Sequence, residues 1–160
     1  MTSYIDHTEL YVHCIWATEN RQPFITASIE ADLYNVLATI CESLQCSVIA
    51  IGGCGDHIHV LVHISEALSA ARLIEQLKQR TLPLINTQSS ERYPLQWQSG
   101  YSAFNVSSQS LDYVKNYVLQ QKARHAHGQL IDELEYIDPT NVALPKPISQ
   151  ELRSASVGSG

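Results

Sequence analysis

The chain has 160 residues, 44% of them apolar, and a formal charge of −6. That length and composition suit one globular domain with its own core, and exclude two full domains or a disordered polymer. The negative total excludes a general nucleic-acid binder that works by bulk charge.

The charges are nonetheless uneven. One basic residue stands against eight acidic ones over 1–71, seven against three over 72–124, and two against five over 125–160. A basic surface is therefore expected from the middle of the chain. No apolar run approaches the roughly 20 residues of a membrane span. The opening Met1-Thr2-Ser3-Tyr4-Ile5-Asp6 has neither a basic start nor an apolar stretch. Together these predict no signal peptide, no membrane contact and a cytoplasmic location. Cys14, Cys41, Cys46 and Cys54 form no Cys-x-x-Cys pair and read as reduced, structural thiols.

In chain order, residues 1–8 read as a loose leader, and 9–18, rich in β-branched and aromatic residues, as a strand that Asn20-Arg21-Gln22-Pro23 ends. Thr26 or Ser28 caps a helix to about Leu44, with Ile29, Leu33, Val36, Leu37 and Ile40 on its buried side. A short apolar strand over 46–51 leads through the tight turn Gly52-Gly53-Cys54-Gly55-Asp56 to an antiparallel strand over 57–64. A second helix starts near Leu68 or Ser69 and is expected to kink or end at Pro83. After a polar loop at 87–94, residues 95–106 read as a strand or hairpin broken at Gly100. A third helix, capped by Ser107 or Ser108, runs to about His127 and stops before Gly128. The domain is expected to fill 1–138, with 139–160 a flexible tail. The order β-α-β-β-α-β plus one helix is the ferredoxin-like α+β plan: an antiparallel sheet with helices on one face, the other left open.

Two places carry chemistry. In the strand over 57–64, Ile58, Val60, Val62 and Ile64 share one face, while His57, His59, Leu61 and His63 share the other. Imidazoles at i and i+2 are close enough to share a divalent ion when further ligands arrive from elsewhere. In the third helix, Leu111, Val114 and Val118 form an apolar seam. Tyr117 and Gln121 lie on its edge, about 40° apart around the axis. Taken alone, Tyr117 equally reads as a packing aromatic and Gln121 as a solvated helix residue. Cys54 with His57 and His59 is an alternative zinc set. Tyr113 is a rival tyrosine one turn earlier, His63 a rival ligand, and His13 a neighbour of the pair or simply core.

The ordered set of segments resembles the single-tyrosine HUH transposases of bacterial insertion sequences and their relatives associated with repetitive extragenic palindromes. It comprises Tyr11 to Thr18 with Arg21 and Pro23, Asp56 to Leu61, Trp97 with Gly100-Tyr101, Phe104 and Val106-Ser107, and Tyr117 to Gln121 with Lys122 and His125. The resemblance covers residues 9–127. It implies His57, His59 and Gln121 as ligands of Mg²⁺ or Mn²⁺ and Tyr117 as the nucleophile. The implied reaction cleaves and rejoins single-stranded DNA at hairpin-bearing ends through a 5′-phosphotyrosine, in a homodimer. A non-catalytic hairpin-binding or regulatory relative is the alternative. Lys78, Arg80, Lys115, Lys122 and Arg124 are the candidate DNA contacts. Glu19 stands where the family's first turn commonly has a lysine, and the paired serines often seen after Lys78 are absent.

Overall fold

The structure is a computed structural model that describes residues 9–88 and 93–141. Its elements are β1 (Tyr11–Ala17), a 3-10 turn (Glu19–Arg21), α1 (Ala27–Ser43), β2 (Ser47–Cys54), β3 (His57–His63), α2 (Ala70–Gln88), β4 (Ser102–Val106), α3 (Leu111–Leu119), α4 (Gln121–His127) and α5 (Asp132–Glu135). The strands pair antiparallel in the order β2-β3-β1-β4. This is the ferredoxin-like α+β arrangement expected from the element order.

The period-two pattern settles the faces. Val12, Cys14 and Trp16 of β1 and Ile58, Val60 and Val62 of β3 point to one side. There they pack with Ile29, Leu33, Leu37 and Ile40 of α1 and Leu73, Ile74 and Leu77 of α2, all buried. The opposite face, expected to be open, is covered. Val114 and Val118 of α3 close over Leu61, Ala50 and Val106 in a second, smaller core. The apolar seam of the third helix needs a partner, and the apolar patch on that face supplies it.

Several boundaries differ from expectation. The third helix begins at Leu111, after Ser110, rather than at Ser107 or Ser108. It also breaks at Gln120 (φ −100°, ψ 18°), which separates α3 from α4. Pro83 does not end α2, which runs on to Gln88. Continuing it buries Ile85 to 2% exposure, while Pro83 and Gln79, whose carbonyl loses its usual partner, sit on the wet side. The expected strand over 95–106 shortens to β4, with Trp97 making an isolated bridge to Thr18. The tail expected from 139 begins docked. The Tyr101 and Asp138 backbones are tied through Tyr101 N–H to the Asp138 carbonyl at 3.2 Å, and Asn141 Nδ2 reaches the Tyr101 carbonyl at 3.2 Å. The leader at 1–8 and residues 142–160 lie outside the described residues.

Close approach sets the height of the second layer. A Cβ on Gly52 of β2 would lie 1.9 Å from the Val118 carbonyl oxygen. Only a bare glycine lets the end of α3 sit this close to the sheet.

Candidate active site

β3 carries His57 and His59 to the α3 side of the sheet, and both are essentially unexposed, at 1% and 0%. From the other layer come Tyr117 (0%) and Gln121 (1%), on either side of the break between α3 and α4. Gly128, in the left-handed region at φ 66°, turns the chain back after α4 so that α5 lays Glu135 over the same spot.

Each histidine is held from behind. Asp56 Oδ1 lies 2.7 Å from His57 Nδ1. An ionised carboxylate only accepts, so His57 Nδ1 carries a hydrogen. His57 Nε2 faces Gln121 Oε1 at 3.0 Å, with Glu135 Oε2 at 3.6 Å. His59 Nδ1 is 2.8 Å from His13 Nε2, and the two rings stack at 5.0 Å. Burial lowers the pKa of both, that of His13 to about 3, so the pair is neutral and shares one hydrogen. His59 Nε2 is buried and lies 3.3 Å from Glu135 Oε2.

Tyr117 donates its hydroxyl hydrogen to Glu135 Oε1 at 2.5 Å and accepts the Ile131 N–H at 3.2 Å. The Arg124 guanidinium lies 4.7 Å over its ring. Burial first, and then the Glu135 carboxylate, raise the Tyr117 phenol to about 12, so at neutral pH it rests protonated. Burial also pushes the Glu135 carboxyl upward. Hydrogen bonds from His59 and Tyr117 outweigh it and lower the group to about 2.

These donors fit a small divalent cation. Ligands about 2.1 Å from an octahedral ion lie about 3.0 Å from their neighbours. The nitrogen-to-oxygen edges here run 3.0, 3.3 and 3.6 Å. Lone pairs that face carboxylate and amide oxygens in a dry site repel one another unless a cation or proton lies between them. His57, His59 and Glu135 each offer an atom within 4.8 Å of the others. A second group, Cys54, His57 and His125, shares His57. Burial raises the Cys54 thiol pKa, which disfavours the thiolate that a zinc site needs.

Residues 6–121 match the family model described as IS200-like transposase. The chain belongs to the IS200-like transposase family. Two solved structures share its fold. One is a candidate transposase from Deinococcus radiodurans R1, 17% identical, covering 74% of this chain and 95% of its own, with a TM-score of 0.57. The other is a REP-associated tyrosine transposase bound to a REP hairpin, 11% identical, covering 81% of this chain and 76% of its own, also with a TM-score of 0.57. No curated protein matches the chain. Among the described residues no helix is long and apolar enough to cross a membrane.

Within this transposase, the sequence-expected residues separate by place. His57, His59, Gln121 and Tyr117 converge. Tyr113 is 57% exposed and points away from them. His63 sits at the far end of β3, its ring tilted at 5.4 Å against Tyr11. Lys78, expected on the DNA surface, is buried to 8% exposure instead, and its ammonium donates to the Gln98 and Gly100 carbonyls at 2.9 and 2.8 Å. Its hydrocarbon stem lies on the core face of α2, where an ammonium needs carbonyl partners to be tolerated. Arg80 is exposed but reaches Ser43 Oγ at 3.0 Å, on the α1–α2 side, away from the histidines. Lys115, Lys122 and Arg124 lie on the α3–α4 side, with Lys122 paired to Glu30. Glu135 escaped the sequence reading. The sole signal for it is an acidic run, Asp132-Glu133-Leu134-Glu135, just past a glycine helix stop.

Proposed function

We propose that this transposase cleaves and rejoins single-stranded DNA at hairpin-bearing ends. In this reading Tyr117 is the nucleophile and His57, His59 and Gln121 hold Mg²⁺ or Mn²⁺. The observation that carries it is the meeting of a buried tyrosine, an amide oxygen and two imidazole Nε2 atoms on one sheet face. Family membership supports the transposase role, and a fold neighbour bound to a REP hairpin supports the hairpin substrate.

A bound divalent ion would polarise the scissile phosphate and offset the charge that develops on it. The chain's own residues do the rest. The Tyr117 oxygen attacks phosphorus and gives up its hydrogen as the new O–P bond forms. The bond from phosphorus to the 3′ oxygen breaks, and that oxygen takes a proton to become a free hydroxyl. The DNA end stays on Tyr117 as a 5′-phosphotyrosine, which conserves the bond for rejoining. Asp56 and His13 hold the two imidazoles from behind, through their Nδ1 atoms, with both Nε2 atoms turned to the site. The buried surroundings of Tyr117 keep water from hydrolysing the ester. The chain is read as a homodimer.

The second reading, a hairpin-binding relative without cleavage, draws on the charge of −6, the burial of Lys78 and the pairing of Lys122 with Glu30. Incubation with a single-stranded hairpin substrate and Mn²⁺ separates the two. The expected result is a DNA fragment that survives boiling in detergent, joined through its 5′ phosphate, and lost in Tyr117→Phe but kept in Tyr113→Phe. Hairpin binding with no adduct under any divalent ion selects the second reading.

A further inference from the structure

We propose that Glu135 is a ligand of the same divalent ion, and that its carboxylate ties that ion to the nucleophile. The inference rests on the metal reading above. The two oxygens of this carboxylate face different partners. Oε2 lies 3.3 Å from His59 Nε2 and 3.6 Å from His57 Nε2. Oε1 accepts the Tyr117 hydroxyl at 2.5 Å and lies 3.2 Å from His125 Nε2. A carboxylate placed so presents one oxygen to the corner where the two imidazole Nε2 atoms converge and the other to the attacking atom.

The need for that oxygen is chemical. His57, His59 and Gln121 are all neutral donors, and hard divalent ions such as Mg²⁺ and Mn²⁺ draw their affinity largely from anionic oxygen. No other carboxylate joins both imidazoles in a potential metal group among the described residues. Asp56 is engaged with His57 Nδ1, the atom turned away from the site. His59 Nε2 is buried and faces Glu135 Oε2 at 3.3 Å, a spacing close to the edge between two ligands of one small ion. Glu135 would thus complete a set of two nitrogens and two oxygens, and would also fix how far the Tyr117 oxygen stands from the ion.

The test is Mn²⁺ titration calorimetry, with electron paramagnetic resonance of the bound Mn²⁺, on full-length protein. The chains compared are wild type, Glu135→Gln, Glu135→Asp, His59→Ala and Tyr117→Phe, each checked by thermal melting. Glu135→Gln keeps shape and one carbonyl oxygen but removes the charge. It is expected to weaken Mn²⁺ binding at least tenfold and to change the resonance line shape. Glu135→Asp is expected to restore most of the affinity, and Tyr117→Phe to leave it within about twofold. Weakening in His59→Ala beside unchanged affinity in Glu135→Gln overturns the Glu135 assignment alone. Unchanged affinity in both overturns the metal reading itself. Tighter binding in Glu135→Gln marks the carboxylate as an occupant that the ion must displace, and also overturns the proposal.

Discussion

Gly52→Ala is the sharpest probe of the two-layer site, because it perturbs no ligand and no nucleophile. The added methyl carbon would lie 1.9 Å from the Val118 carbonyl oxygen, where real contacts do not fall below 3.0 Å, so the end of α3 must retreat by at least ~1.1 Å. Val118 stands between Tyr117 and Gln121, so both leave the sheet with it. The Gln121 oxygen, now 3.0 Å from His57 Nε2, would move out to about 4 Å. Misplacement of reacting groups by about 1 Å costs on the order of a hundredfold in rate. Overpacking of this kind costs about 1–3 kcal/mol in stability, little enough to leave the chain folded. The assay is the rate of detergent-stable adduct formation with Mn²⁺ in excess, alongside thermal melting. Gly55→Ala is the matched control in the same hairpin. There the new carbon would meet nothing nearer than Pro23 at 3.4 Å, an ordinary contact, so near wild-type rates are expected. Wild-type adduct rates in Gly52→Ala would refute the claim that this close approach sets the position of Tyr117.

Other outcomes follow from the same geometry. His59→Ala should lower stability by about 2 kcal/mol through its cavity, yet stay folded and lose Mn²⁺ binding by at least a hundredfold in calorimetry. Replacing Lys115 and Lys122 by Ala should reduce the salt dependence of hairpin binding by about 0.7 in log–log slope for each DNA phosphate left without its lysine, read by titration at several salt concentrations. Burial lowers the Lys78 pKa to about 8, against about 10.4 in the unfolded chain. The unfolded state therefore binds more protons between those two values, and this group's contribution to stability rises with pH across that window. Lys78→Met should remove that rise in denaturant titrations from pH 8 to 10, measured as the difference between the two proteins.

Strand-level features were legible from the sequence because they obey a local rule. Alternation from Ile58 to Ile64 fixes which residues share the histidines' face, and tertiary packing did not alter it. Tyr117 and Gln121 were legible as neighbours on one helix edge. The break at Gln120 was not, since no glycine or proline marks it. Covering of the second face follows from a seam that needs a partner, but the sequence does not say whether that partner is the helix's own sheet. Lys78 read as a surface cation because a charge on a helix is usually solvated. Its partners are two backbone carbonyls more than 19 residues away, and carbonyls carry no sequence signal. Glu135 was hidden for a similar reason: its reach depends on a reversal at Gly128, and nothing in the spacing from Tyr117 encodes that turn.

Among the described residues the two apolar clusters differ greatly in size, nineteen buried members between the sheet and α1 and α2 against five between the sheet and α3. Local opening free energy follows such burial, so amide hydrogens in α3 through α5 should exchange with solvent far sooner than those of β1 and β3. The imidazoles are therefore mounted on the rigid half of the molecule, whereas the phenol, the amide and the carboxylate ride on the half that breathes. A strand of DNA can reach an oxygen enclosed as Tyr117's is only during such breathing. The thickness of one small apolar seam then governs how often the reactive face is uncovered. Enlarging Ala50 or trimming Val114 would change that frequency without touching a single reacting group.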